Sequence, residues 1–224
     1  MKVFVVLSTL FVAALAANDY CYKDTVQACT ESKQSAFSEE HCSAQYGAIK
    51  NSLSDLQGYA NQHIVKSFEY LLMATHFGNY EKNRVGFEKL FRGLSDKAWE
   101  DAFDLIKYIG KRGGAMNFGM PQGSALGQSS AVYELYEMES LGKALDMEKH
   151  LATEAYNIHR KAIRSNNEHH DPEISAYIEE HFVHGHASII RKLSGYITDL
   201  RGFFSDKTTS SLALYLFDEY LSKQ

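Results

Sequence analysis

Proline is almost absent from this chain of 224 residues: only Pro121 and Pro172 occur. Proline inside a helix removes a hydrogen bond and clashes with the preceding turn, so its scarcity leaves long helices unbroken. No Asn-x-Ser/Thr sequon occurs, so the usual acceptor for an N-linked glycan is missing. Beyond the first residues, no stretch is long and apolar enough to cross a bilayer, which takes about 20 residues. Positive charge is also short. The formal net charge is −5 at pH 7, whereas a nucleic-acid partner would require a basic face. Cysteine is limited to Cys21, Cys29 and Cys42. Three cysteines cannot all pair within one chain. In a secreted protein the odd one implies either a bond to another chain or a free thiol.

What is present is 45% hydrophobic, enough to fill the core of one domain. Residues 1–16 read as a signal peptide: Lys2 supplies the positive end, Val3 to Val12 the apolar run, and Ala14-Leu15-Ala16 the small-residue cleavage site. The expected mature protein begins near Ala17, in an oxidising compartment where disulfides persist. Residues 17–46 hold all three cysteines and show no clear period, and are expected to form an extended leader. Residues 47–224 carry the folded domain.

That domain reads as helical throughout. Ile49, Leu53, Leu56, Ala60, His63, Ser67, Tyr70, Ala74 and Phe77 recur at three and four, the seam of a bundle helix. A second helix is expected from about Arg84 to Arg112, with Phe87, Phe91, Leu94, Ala98, Asp101, Leu105 and Tyr108 on its stripe and Gly113-Gly114 as its stop. A glycine-rich connection, Ala115 to Gly127, has the length of a crossover. A third helix spans about Ser130 to Arg164, with Leu135, Met138, Gly142, Leu145, Ala152 and His159 near one face. The fourth opens at Asp171-Pro172, a capping residue followed by a proline at the first helical position, and runs to Phe204, on the order of 45 Å. Its apolar stripe is Ile174, Ile178, Phe182, Ile190, Leu193, Ile197 and Leu200. A short amphipathic helix follows from Ser210 to Leu221. The sum is an all-α, four-helix bundle with one long crossover and a short fifth helix.

Two seam positions break the apolar rule: His63 in the first helix and His186 in the fourth. Each is either a core histidine whose nitrogens find local partners or a metal-site position. Asp101 intrudes on the second seam in the same way. Two imidazoles and a carboxylate would suit iron or zinc; a hydrogen-bonded polar plug with Asp101 tying the histidines is the other reading. His181 and His184 can share a face, whereas His184 and His186, two apart, cannot. His181, His184 and the loop pair His169-His170 are read as surface or interface groups.

Several segments, taken in order, resemble the ferritins, and specifically the secreted light-chain type of insects. They are Phe68-Glu69-Tyr70-Leu71-Leu72-Met73, Lys111-Arg112-Gly113-Gly114, Asp146-Met147-Glu148-Lys149-His150-Leu151, Asp171-Pro172, Tyr196-Ile197-Thr198-Asp199-Leu200-Arg201, and Leu212 through Asp218. The resemblance covers about residues 49 to 221. It implies a ferritin-like bundle, a shell of two dozen subunits holding iron as a ferric mineral, and no bound cofactor in the subunit. It also implies heavy-chain type partners joined through disulfides, and a place in the secretory pathway, Golgi or extracellular fluid.

Ferritin heavy chains oxidise iron(II) within the bundle, using carboxylates and a Glu-x-x-His pair that shares one helix face. None of the ten histidines here has a glutamate three residues before it. Carried over by resemblance, the ferroxidase positions fall on His63, Tyr70, Ala98, Asp101, Gly142 and His186. The implied role is that of a non-catalytic light-type subunit, with oxidation supplied by a heavy-chain partner; a relocated, active oxidase site is the alternative. For mineral nucleation the second helix offers Asp96, Glu100 and Asp104, interspersed with Lys97 and Phe103. For the acidic channel at the three-fold junction, the two positions fall on Ala176 and Glu179, so one acid is kept.

Overall fold

A computed structural model describes Thr25, residues 42–119, 136–164, 168–204 and 210–224. The proposed signal peptide, Cys21 and Cys29 lie outside these residues. The chain divides between Ala44 and Gln45 into two units, and the second holds the six helices described below. Cys42, in the first, is disulfide-bonded.

Helix α1 is Ile49–Phe77, α2 Val85–Lys111 and α3 Glu137–Ile163. Helix α4 is Pro172–Ile178, followed without a break by a π-helical turn, Glu179–Val183, and by α5, His184–Phe203. Helix α6 is Ser210–Ser222. Each boundary has a local cause. The Gly78 amide closes α1 on Ala74. Gly113, at φ 75°, turns the chain out of α2 in the left-handed region that glycine tolerates. The Asp171 carboxylate caps α4, accepting from the Glu173 and Ile174 amides at 3.1 and 3.2 Å, with Pro172 in the first turn.

The core gives the topology. One apolar cluster joins Phe77 with Phe87 and Phe91, and adds Leu141, Leu193, Leu200 and Phe217. A second joins Ile49 with Leu105 and Ile109, and adds Ile158, Ala162, Ile174 and Ile178. The start of α1 therefore lies beside the end of α2, and the start of α3 beside the end of α5. These pairs are antiparallel. Phe87 and Leu141 share one cluster while Ile109 and Ile158 share the other, so α2 and α3 run parallel and the chain between them must cross the length of the bundle. This is the expected four-helix bundle with a crossover; among the described residues no strand occurs. Helix α6 closes the first cluster through Phe217, whose ring lies 5.9 Å from Phe87 and 5.7 Å from Tyr196.

Two expectations need correction. The third helix begins at Glu137, and residues 120–135, including most of the expected crossover and the start expected at Ser130, lie outside the described residues. Its buried face is also rotated from the expected one. It consists of Ser140, Leu141, Ala144, Met147, Glu148, Leu151, Ala155, Ile158 and Ala162, while Gly142, Leu145, Ala152 and His159 are only half-buried. The apolar residues of α3 are sparse enough to fit two adjacent stripes, and the stripe that buries small residues and one glutamate is the one that packs.

The π turn has a physical reason. Ile174, Ile178, Phe182 and His186 are spaced by four and are all buried. At 3.6 residues per turn, each step of four overshoots by about 40°. A wider π turn absorbs the accumulated drift, so that Phe182 and His186 both face inward.

Beneath the second cluster, Arg112 is buried and tied on several sides. Its guanidinium donates to Asp171 at 2.8 Å, to the Tyr46 carbonyl at 3.0 Å and to Tyr108 at 3.1 Å, and it pairs with Glu173. Asp171 also accepts the Ala48 amide at 3.0 Å. Burial alone would raise the Asp171 carboxyl; the donors from Arg112, Ile174 and Ala48 outweigh it and hold the group below its ordinary value. This clamp joins the chain before α1, the end of α2 and the start of α4.

Candidate functional site

Between the two apolar clusters lies a polar layer. Helix α1 contributes Tyr59, His63 and Tyr70, α3 contributes Glu148, and α5 contributes His186, all buried. The Tyr59 hydroxyl meets His186 Nε2 at 2.9 Å. His186 Nδ1 meets Glu148 Oε2 at 2.8 Å. The other carboxylate oxygen, Oε1, accepts from the Tyr70 hydroxyl at 2.7 Å, and Tyr70 also reaches the Ala144 carbonyl at 3.3 Å. The result is an unbroken relay, Tyr59–His186–Glu148–Tyr70, spanning three helices. Burial pushes the Tyr59 hydroxyl above its ordinary range, with the Asp101 and Glu148 charges adding to it. Burial likewise raises Tyr70, reinforced by Glu148. Both tyrosines are therefore held neutral: Tyr70 donates to Glu148, and Tyr59 is paired with His186.

His63 is beside this relay but outside it. Its ring packs edge-on to Tyr59 at 4.6 Å and to Phe182 at 5.4 Å, and lies tilted against His186 at 5.6 Å between centroids. Neither ring nitrogen has a hydrogen-bond partner. Burial drives its pKa well below the ordinary value, helped by His186 and Lys97, so the imidazole is held neutral.

The other positions at this level fall elsewhere. Asp101 pairs with Lys97 one turn earlier on α2. Burial raises its carboxyl while the Lys97 contact opposes the rise. The expectation that Asp101 ties the two histidines together is corrected: Glu148 and Tyr59 hold His186, and among the described residues His63 is held by ring packing alone, with no hydrogen bond. Ala98 is a buried core residue with no donor atom. Gly142 is half-buried, and a Cβ there would meet nothing within 4 Å. The side chain that α3 sends into the layer is Glu148, six residues later. The sequence reading missed Glu148 and Tyr59. The signal for Glu148 was available, because it interrupts the seam Leu141, Ala144, Leu151, Ala155 as His63 interrupts that of α1.

As a metal centre the layer is poorly arranged. Both oxygens of Glu148 and both nitrogens of His186 already have partners, and Asp101 is turned to Lys97. Among the described residues, no group of three or more His, Cys, Asp or Glu is placed to hold a metal ion.

Outside the bundle, Asp96 and Asp104 are exposed and pair with Arg92 and Lys107, each at 3.2 Å; Glu100 is exposed. Glu179 and Ala176 are exposed, and Glu179 lies 3.4 Å from His159 Nε2. The His181 ring lies tilted against Tyr177 at 4.5 Å between centroids, and His184 is exposed. No helix among the described residues is long and apolar enough to cross a membrane.

Comparison with known proteins gives a consistent answer. The ferritin-like domain family matches residues 55–203. The ferritin light chain of Trichoplusia ni is 42% identical over 228 residues, covering 100% of this chain and 98% of that protein. That of Drosophila melanogaster is 43% identical, covering 100% of both. The crystal structure of Trichoplusia ni secreted ferritin superposes with a TM-score of 0.83 at 42% identity, over 92% of this chain and 99% of that one.

Proposed function

The chain belongs to the ferritin family, and from that premise we propose that it is a non-catalytic, light-type subunit of a secreted iron-storage shell. The observation that carries this reading is the state of the polar layer. Iron oxidation needs carboxylates and an imidazole free to take iron. Here Ala98 and Asp101 stand where a Glu-x-x-His pair is needed, and Glu148 and His186 have their polar atoms engaged by Tyr59, Tyr70 and each other. Tyrosine hydroxyls that are buried and kept neutral make the layer a structural plug. Iron(II) is then the substrate of a heavy-chain type partner, and this chain contributes assembly, stability and a share of nucleation.

The test is the initial rate of iron(II) oxidation by shells of this chain alone. A rate equal to that in buffer is expected. A saturable rate well above it would mean that the layer takes iron and oxidises it, and the reading would be withdrawn.

The same reading assigns residues 1–16 as a leader removed on secretion, residues 17–46 as the cysteine segment through which chains are joined, and residues 47–224 as the bundle domain. Glu179 is assigned to the three-fold channel. Amino-terminal sequencing of the exported protein should begin near Ala17; retention of Met1 would remove the secretion claim.

A further inference from the structure

The polar layer contains an arrangement that a structural plug does not require. The Tyr59 ring is buried, and its hydroxyl lies 2.9 Å from His186 Nε2. The other nitrogen of that imidazole, Nδ1, lies 2.8 Å from Glu148 Oε2. A carboxylate accepts and does not donate, so Glu148 fixes the imidazole proton on Nδ1 and leaves Nε2 as a base facing the phenol. A line of rings joins Tyr59 to the surface. Phe182 lies 5.3 Å from Tyr59 and 5.9 Å from Tyr177 between centroids. Tyr177 is half-buried and stacks on Tyr108 at 3.8 Å. Steps of this length let an electron tunnel from ring to ring.

We propose that Tyr59 is a reversible one-electron donor that traps oxidising radicals at the shell, with His186 as its proton acceptor. The oxidant, of the hydroxyl-radical class that iron(II) and peroxide generate, takes an electron from Tyr177 and leaves as hydroxide. Tyr59 refills Tyr177 through Phe182. The Tyr59 O–H bond breaks, the proton passes to His186 Nε2, and a phenoxyl radical remains. A small-molecule reductant of the ascorbate class later returns the electron, and His186 returns the proton. Each group has a physical part in this step. An oxidised ring that kept its proton would be an unpaired charge in the core, which is costly. Proton transfer neutralises the ring, and the imidazolium it creates is paired with Glu148. The negative charges of Asp101, Glu148 and Glu154 act on Tyr59 and favour loss of the electron. Tyr70 lacks this advantage: its hydroxyl faces Glu148, and a carboxylate is a weaker base than an imidazole. The role goes beyond iron storage and is tested on iron-free shells, so it stands or falls separately.

The experiment is oxidation of iron-free shells of this chain with hexachloroiridate(IV), a one-electron oxidant, followed by electron paramagnetic resonance. The expected product is a neutral tyrosyl radical that outlives those of the exposed rings. It should carry a proton coupling, from the bond to His186, that is lost in deuterium oxide. Tyr59→Phe should remove the persistent signal, and Tyr70→Phe should keep it. His186→Gln retains the phenol without a basic nitrogen and should shorten the signal to the lifetime of the exposed rings. Helicity and shell size should match the parent in both tyrosine variants; His186→Gln decides the matter where Tyr59→Phe does not assemble. Absence of a persistent radical in the parent would overturn the proposal. So would its survival in Tyr59→Phe, its loss in Tyr70→Phe, or an unchanged lifetime in His186→Gln.

Discussion

Two imidazoles share the centre of the bundle, and they should respond to mutation in opposite directions. His186 is bonded at both nitrogens. Replacing it with leucine would strand Glu148 and the Tyr59 hydroxyl in the core, and a buried group left without its partner costs more than the bond contributed. His186→Leu should lower stability by roughly 2–4 kcal/mol. His63 has no partner to strand, so His63→Leu should leave stability unchanged or raise it by about 1–2 kcal/mol, read from denaturant unfolding. A loss on His63→Leu comparable to that of His186→Leu would show that His63 has a partner after all. The pH dependence follows from the same burial. The folded protein holds His63 neutral well below the ordinary value, so below pH ~6.5 the unfolded chain binds the extra proton and stability falls as the pH drops. The slope approaches about 1.4 kcal/mol per pH unit for one such group, and His63→Leu should remove that part of it. Asp171 acts in a separate window. Its carboxyl is depressed, so its contribution is intact above pH ~3.9 and is lost as the pH falls further, through the folded value. At this scale periodicity exposed His63 and His186, because an imidazole is conspicuous among leucines and phenylalanines. It left Glu148 unnoticed, because the seam that Glu148 interrupts, Leu141, Ala144, Leu151 and Ala155, is not the stripe through Gly142, Leu145 and Ala152 that was expected to pack.

Besides its apolar packing, helix α6 makes a close backbone approach to the start of α2. The Asp218 carboxylate accepts the Phe87 amide at 3.0 Å at the start of α2, a cap supplied from another element. Gly86 permits it: a Cβ there would lie 1.9 Å from the Asp218 carbonyl oxygen. Gly86→Ala must therefore push α6 outward, against the slight gain in helix propensity that alanine would bring. A loss of roughly 1–3 kcal/mol is expected, measurable as a lowered unfolding midpoint; an unchanged midpoint would mean that α6 packs elsewhere. The long elements were readable because α1 and α2 repeat their apolar residues at bundle spacing over nearly their whole length. The π turn was not. A run spaced by four looks like an ordinary helical stripe, and only its length, four such positions from Ile174 to His186, betrays the drift that a wider turn must absorb. The face of α3 was misread for the reason given by its composition: small residues and half-buried leucines support two stripes almost equally.

Over the whole molecule, topology followed from helix count and one long connection, since two antiparallel pairs and a crossover leave few arrangements. Surface function was harder to read, because exposed charge serves solubility as readily as chemistry. The α2 surface shows the difficulty. Asp96 and Asp104 are each matched by a nearby cation, Arg92 and Lys107, while Glu100 forms no such ion pair among the described residues. If this face seeds mineral, Glu100 carries most of the effect. Asp96→Ala with Glu100→Ala should then slow mineral growth in the assembled shell severalfold; growth at the parent rate would assign nucleation to another chain. The polar layer has a different bearing on the molecule as a whole. It interrupts the apolar core, so the end built on Phe77, Phe87 and Leu141 and the end built on Ile109, Ile158 and Ile174 are two neighbouring cores within the same helices. Amide hydrogen exchange should resolve them as two protection classes that meet near residues 63, 148 and 186, with the boundary loosening first as acid begins to protonate His63. A single class exchanging in concert would mean that the relay couples the two ends as firmly as leucines would.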